Sequence, residues 1–316
     1  MDYGAANKTF VDTVTNISLA CADQQPHPSD DVQIKYRYQV DDGAFTEWAT
    51  YIAPFGFPEE SKHTLQFYCA DALGNQDGTH EAIYYSDHSA PVTTKTYGDP
   101  FFSNATAEWI NSSTPITLAA TDILDEGDVV HASGVDATYY RVSLVDDRYC
   151  TGVEGWRCSS AEGSGEFSTY ADPFTISQES CHMIEYYSVD NVQKTETTSK
   201  QCVFVDNSAP VTAKTVGKPN TKWDGSDAVY YDIADKCWSE NGDSIDCWKV
   251  TTMTPIYMGC VDQQPHPSGN AQTCFSVGLD GSDDTASYCD DFDRLLLRQE
   301  QRHARAHVQG GDRTRA

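Results

Sequence analysis

At 316 residues with a formal net charge of −27 and 11 cysteines, the chain is long enough for two or three domains. Acidic charge spread along its length opposes nucleic acid and anionic membrane as partners, since both repel such a surface. The cysteine count favours an oxidising compartment, and no Cys-x-x-Cys pair is present, which sets aside zinc ribbons and thioredoxin-type motifs.

One phrase recurs along the chain. Cys21 to Ser29 reads Cys-Ala-Asp-Gln-Gln-Pro-His-Pro-Ser, and Cys260 to Ser268 reads Cys-Val-Asp-Gln-Gln-Pro-His-Pro-Ser. Ala119-Ala120-Thr121-Asp122 is a reduced copy. Each copy follows a short strand-like lead, at Asn16 to Leu19, Pro115 to Leu118 and Pro255 to Met258. Internal duplication follows.

In chain order, the first unit (1–88) reads as strands separated by turn signals. Val32 to Val40 alternates, which puts Val32, Ile34, Tyr36, Tyr38 and Val40 on one face. Asp41-Asp42-Gly43 turns the chain and Ala44 to Tyr51 returns it. His63 to Asp71 forms the next strand, Leu73-Gly74-Asn75 the next turn, and Glu81 to Tyr85 the last strand. The second unit (89–207) repeats this order at Tyr139 to Val142, Phe167 to Phe174 and Cys181 to Asp190, with an inserted loop at 143–166 that carries Cys150 and Cys158. The phrase Ala-Pro-Val-Thr, at Ala90 and again at Ala209, reads as the first strand of the following unit, where proline suits an edge. The third unit (208–292) repeats only in part. Residues 293–316 then form a basic tail in which arginine replaces the lysine of the body. A shifted reading frame or a junction would give such a change; the alternative is a genuine basic helix reaching for an acidic partner. Both ends read as cut. The start is no signal peptide, so the export signal of a disulfide-type chain is expected upstream. No run of about 20 apolar residues provides a membrane span.

Comparison of the copies predicts cysteine pairs. Cys21 and Cys69 are both replaced in the second unit, by Ala120 and Ser188, whereas Cys181 and Cys202 stand where the first unit has Lys62 and Ile83. Joint presence and joint loss predict Cys21–Cys69 and Cys181–Cys202, leaving Cys150–Cys158 within the inserted loop and Cys237–Cys247 in a third-unit hairpin. Cys260 is left to Cys274, to Cys289, or unpaired.

These residues resemble the immunoglobulin-like β-sandwich repeats of large bacterial and archaeal surface proteins. The resemblance rests on Tyr-Arg-Val-Asp-x-Gly-like strands, the Pro-Phe step, the Gly-Asn turn and the Val-Asp-Asn-x-Ala-Pro-Val-Thr phrase, and it covers nearly all of residues 10–292. It implies an all-β fold of tandem immunoglobulin-like sandwiches with an incomplete third repeat and a short helical or disordered basic tail. It also implies a non-catalytic structural or adhesion module, extracellular or on the cell surface, whose partner is a surface protein or a glycan. The alternative is an accessory or carbohydrate-binding region of a secreted hydrolase whose catalytic domain lies outside this chain.

No catalytic residues are assigned. His80-Glu81-Ala82-Ile83-Tyr84 begins like a zinc-protease helix, but Tyr84 stands where the second histidine is required. His27 and His266, each between prolines, read as loop-shaping residues rather than metal ligands. The aromatics Tyr36, Tyr38, Trp48, Phe67, Tyr186 and Tyr187 form either a sugar-stacking face or sandwich core. Asp71, Asp190, Asp206 and Asn207 place oxygens on turns and linkers, as calcium prefers, and the same residues serve as turn formers. Calcium is therefore the one cofactor considered. Sequons at Asn7, Asn16, Asn104 and Asn111 are candidate glycosylation sites.

Overall fold

The computed structural model describes residues 8–24, 31–124, 131–152, 158–218, 220–222, 248–250, 253–269, 273–279, 285–290, 295–296 and 304–308. The chain forms two compact units. One holds 1–108, 113–176 and 181–203, and the other 109–112, 177–180 and 204–316. Among the described residues the secondary structure is all β apart from one 3-10 turn at Asp147–Tyr149.

The first repeat comprises β1 (Thr9–Val11), β2 (Val32–Val40), β3 (Ala49–Thr50), β4 (Ser61–Asp71) and β5 (His80–Ser86), in the sheet order β1-β5-β4-β2-β3. β2 and β4 are antiparallel, with Tyr36 opposite Phe67 and Tyr38 opposite Leu65. That register puts Tyr68, opposite Lys35, on one face and Tyr36, Tyr38 and Phe67 on the other. Val11, Ile17, Phe57 and Leu65 are buried there, with Tyr36, Tyr38, Phe55, Phe67 and Tyr84 packed around them. Ile17 and Phe55 exchange backbone hydrogen bonds of 2.7 and 3.2 Å, and the Phe55 ring stacks on Tyr36 at 4.4 Å.

The second repeat follows the same plan. Its strands are β6 (Val92–Tyr97), β7 (Phe101–Ser103), β8 (Glu108–Ile110), β9 (Ile116–Thr121), β10 (Val135–Leu144), β11 (Ser168–Thr169), β12 (Ser180–Asp190) and β13 (Ser199–Val205). β10 pairs with β12 as β2 does with β4. Ile116 and Phe174 exchange bonds of 2.8 and 3.1 Å, and Phe174 stacks on Tyr140 at 4.1 Å. β6, which starts in the Ala-Pro-Val-Thr phrase, pairs antiparallel with β9 from Val92↔Thr121 to Tyr97↔Ile116.

In the second compact unit the strands are β14 (Val211–Val216), β15 (Asn220–Lys222), β16 (Trp248–Val250), β17 (Pro255–Val261), β18 (Thr273–Leu279), β19 (Thr285–Asp290), β20 (Leu295–Leu296) and β21 (Ala304–Val308). β14 pairs with β17 in the relation that β6 has to β9. The described tail residues form strands rather than the expected helix: β20 pairs with β17 and β21 with β18. Ala304-Arg305-Ala306-His307-Val308 alternates with period two, a pattern that a strand satisfies and a helix does not.

His63, fully buried, stacks on Phe57 at 4.2 Å and places Nε2 2.9 Å from the Glu59 carbonyl oxygen. Burial lowers its pKa, against the opposing pull of that carbonyl and of the Glu59 and Asp41 charges. The unfolded chain therefore takes up a proton that the folded first repeat refuses. The stability tied to neutral His63 is present above the ordinary histidine pKa of about 6.5 and is lost as pH falls below it. Melting curves at pH 7.5 and 5.5 are expected to show a smaller acid loss in His63→Phe than in the parent chain. An equal loss would mean that His63 does not set the acid limb.

Candidate functional site

Two linkers carry the same phrase, Asp87-His88-Ser89-Ala90-Pro91 and Asp206-Asn207-Ser208-Ala209-Pro210. Each aspartate directly follows the last strand of a repeat, and its amide is fixed by a neighbouring strand: Asp87 donates to the Val11 carbonyl and Asp206 to the Ile110 carbonyl, both at 2.9 Å. A second aspartate closes the strand that follows, Asp122 after β9 and Asp262 after β17. A Ser-Gly pair then clasps both carboxylates. The Ser133 amide donates to Asp87 Oδ2 at 2.6 Å and the Gly134 amide to Asp122 Oδ2 at 2.7 Å. The Ser268 amide donates to Asp206 Oδ2 at 3.1 Å and the Gly269 amide to Asp262 Oδ2 at 2.8 Å. The clasp needs a left-handed turn, with φ of 88° at Gly134 and 71° at Gly269, which glycine adopts without steric cost.

At the first of these linkers a third carboxylate joins. Asp190, at the end of β12, caps its own turn: Oδ1 accepts from the Val192 and Lys194 amides at 2.9 and 2.7 Å. Asp87, Asp122 and Asp190 are buried, with exposures of 0, 6 and 0 %. One carboxylate oxygen from each lies within 4.8 Å of the other two. No hydrogen-bond donor reaches Asp87 Oδ1, Asp122 Oδ1 or Asp190 Oδ2. Two full charges about 4 Å apart repel by about 4 kcal/mol at an effective dielectric constant of 20, so the cluster is costly as three bare anions. Burial, reinforced by the charges of Asp87 and Asp190 and by the Asp87 carboxyl within hydrogen-bonding reach, pushes Asp122 up to about 6 against the pull of the Gly134 amide. Burial likewise raises Asp190, with Asp87 adding to it.

The four candidate calcium residues are used differently. Asp190 enters this cluster. Asp71, its counterpart in the first repeat, is consumed by its turn: Oδ1 accepts from the Leu73 and Asn75 amides and Oδ2 from Asn75 Nδ2 at 2.7 Å. Asp206 accepts from the Ser208 and Ser268 amides. Asn207 accepts from the Ser112 amide and donates to the Ser177 carbonyl. The reading from sequence missed Asp87 and Asp122. The signal was present, since Asp87 matches Asp206 in the linker phrase and Asp122 ends a copy of the repeated phrase. Asn16 and Asn104 are exposed and Asn111 half-buried. Asn7, His27, Cys237 and Cys247 lie outside the described residues.

The cysteines pair differently from expectation in the second repeat. Cys21–Cys69 forms, but Cys150 bonds Cys181 and Cys158 bonds Cys202. The physical reason is register. In the first repeat the equivalent residues Lys62 and Ile83 face Tyr85 and Thr64, so the two positions stand diagonally, two residues out of step and about 7–8 Å apart at Cα. That is too far for a disulfide. Each strand cysteine instead takes a partner from the inserted loop, which crosses their face. Cys260 is free and half-buried. Cys274 is disulfide-bonded and stands opposite Cys289 in the β18–β19 ladder.

A buried ion pair holds the same loop. Glu185, 1 % exposed, receives both Nε and Nη2 of Arg141, and Arg141 Nη1 donates to the Gly165 carbonyl at 3.0 Å. Lys200 donates to the Ala161 carbonyl at 2.9 Å. A Cβ at Gly163 would stand 1.8 Å from Glu185 Oε2, so glycine alone admits this approach. The first repeat, without the insertion, has Arg37 donating to neutral Gln66 at the same place.

The chain matches no family model and no curated protein. Among the described residues no helix is long and apolar enough to cross a membrane.

Non-reducing peptide mapping is expected to join Cys150 to Cys181 and Cys158 to Cys202. Removing either bond, by replacing its loop cysteine with serine, should cost about 2–5 kcal/mol on denaturant unfolding. Recovery of Cys150–Cys158 within one loop peptide would reverse the assignment.

Proposed function

We propose that the chain is a non-catalytic structural and adhesion module of a larger extracellular or cell-surface protein, built from tandem immunoglobulin-like sandwiches. The observation that carries this reading is the tied join between the first and second repeats, which lies within one compact unit. Asp12, just past β1, takes Lys194 Nζ of the second repeat at 2.5 Å and the linker His88 Nδ1 at 2.8 Å. Burial works to raise the Asp12 pKa, but Lys194 and His88 outweigh it and bring it down to about 2. Glu60 accepts from the His88 amide at 2.7 Å and from Ser89 Oγ at 2.8 Å. A linker gripped from both sides resists hinging, which is what a spacer requires. Three disulfides suit an oxidising exterior, and a surface protein or a glycan is the class of partner.

The carbohydrate reading depends on an open aromatic face. Trp48 offers little of one: the Arg37 guanidinium sits 4.6 Å over its ring and Tyr68 packs edge-on at 4.8 Å. The spacer reading is tested by pulling the full chain end to end under non-reducing conditions. The linker is expected to contribute no separate step before a repeat unfolds. Asp12→Ala should introduce an early extension of up to about 17 Å, the full reach of a five-residue linker. Binding of the parent chain to insoluble polysaccharide, abolished by Trp48→Ala, would overturn the spacer reading in favour of the carbohydrate one.

A further inference from the structure

We propose that Asp87, Asp122 and Asp190 form a site for a hard divalent cation, with calcium the best fit, which locks the linker onto the second repeat. Three features carry the assignment. First, each carboxylate is anchored through one oxygen by backbone amides, from Ser133 for Asp87, from Gly134 for Asp122 and from Val192 and Lys194 for Asp190. The second oxygen of each is left buried and without a donor. Second, one oxygen of each lies within 4.8 Å of the other two. Oxygens bound to one calcium ion at about 2.3–2.6 Å can be no more than about 5 Å apart, so the spacing fits a shared ion. Third, the obvious counter-charge acts on Asp190 only through space. Lys194, whose own amide caps Asp190, sends its ammonium to Asp12 at 2.5 Å, and the first-repeat counterpart Asn75 satisfies Asp71 in the way that Lys194 does not satisfy Asp190.

Magnesium suits the cluster less well, because it keeps most of its water in a tight octahedron, whereas these ligands are buried and fixed to backbone turns. The occupant would draw Asp87 from the linker and Asp122 and Asp190 from the body of the second repeat. The site stands apart from the spacer reading and holds whichever partner the chain recognises.

The test uses the full chain, stripped with a chelator and returned to calcium chloride at about 1–10 mM, the range that covers extracellular calcium modules. Melting temperature and terbium luminescence are both followed. The parent chain is expected to melt higher with calcium and to bind terbium in a saturable, calcium-displaceable way. Asp87→Asn and Asp122→Asn should each weaken calcium binding by about tenfold or more, while Asp71→Asn, in the first-repeat turn, should leave it unchanged. In chelator, Asp122→Asn should melt about 2–4 °C above the parent, because one of three crowded charges is gone; with calcium it should melt below it. This reversal of sign is not expected of a residue that only shapes a turn. No calcium-dependent shift and no displaceable terbium in the parent would overturn the site and leave the cluster as carboxyls sharing a proton. A calcium response that survives in both variants would overturn it equally. If either variant fails to fold, terbium binding by the parent decides the matter alone.

Discussion

The exchange of backbone hydrogen bonds between Ile17 and Phe55, repeated between Ile116 and Phe174, is the constraint on which each repeat is built. Each pair brings the lead strand of a repeat to the Pro-Phe step that ends its return strand. With the lead strand fixed there, the phenylalanine ring must lie against the tyrosine of the longest ladder, Tyr36 or Tyr140, and a second tyrosine, Tyr51 or Tyr170, closes edge-on. The ring distances agree between repeats to a few tenths of an ångström. An aromatic triad of that kind contributes specific geometry on top of its buried area. It fixes the depth at which the flanking turns emerge, and therefore where the aspartates that end each strand come to stand.

The second repeat shows how such a frame accepts an insertion. In the first repeat, Arg37 stacks on Phe45 and Trp48 and donates to neutral Gln66. In the second, Arg141 stacks on Phe167 and meets Glu185, which the loop covers. A buried charge pair contributes little net stability unless its remaining hydrogen bonds are made. The loop supplies one, through the Gly165 carbonyl, and two disulfides then hold the loop against the strands that present the pair. These cysteines, the glutamate and the close-approach glycine form one arrangement, and the first repeat has Lys62, Ile83 and Gln66 at the matching strand positions.

Much of this was legible in the sequence. Strand alternation from Val32 to Val40 foretold a face, and the ladder from Val32↔Asp71 to Val40↔His63 realises it. Correlated gain of cysteines was also sound evidence of covalent dependence. It could not say which cysteine holds which, because all four arrive together and only the fold brings each strand cysteine to one from the loop. The arginine-rich tail was harder to read: a basic helix was the alternative to a shifted frame, whereas the residue-by-residue alternation at Ala304 to Val308 favours a strand, and Ala304–Val308 is one. The carboxylate cluster was the least legible. Each of its members looks like an ordinary turn aspartate, and the span of the chain from Asp87 to Asp190 is brought to one point only by the folding of two sheets.

Asp71 and Asp190 make the final distinction. Both end the same strand, both cap the same turn with Oδ1, and the turn takes the same left-handed step, at Gly74 in one and Gln193 in the other. They differ one residue further on. Asn75 turns its amide back to close the carboxylate, whereas Lys194 leaves it and reaches to Asp12. In the first repeat, Asp71 is a finished turn. In the second, the same turn releases one buried oxygen and directs a cation elsewhere, although Asp87 and Asp122 stand beside it. Leaving such an oxygen unpartnered costs a full desolvation penalty, and the nearby lysine that would relieve it is spent on tying two repeats together. The exchange of asparagine for lysine thus does two things at once: it fastens the join through Asp12, and it leaves one buried Asp190 oxygen without a hydrogen-bond donor.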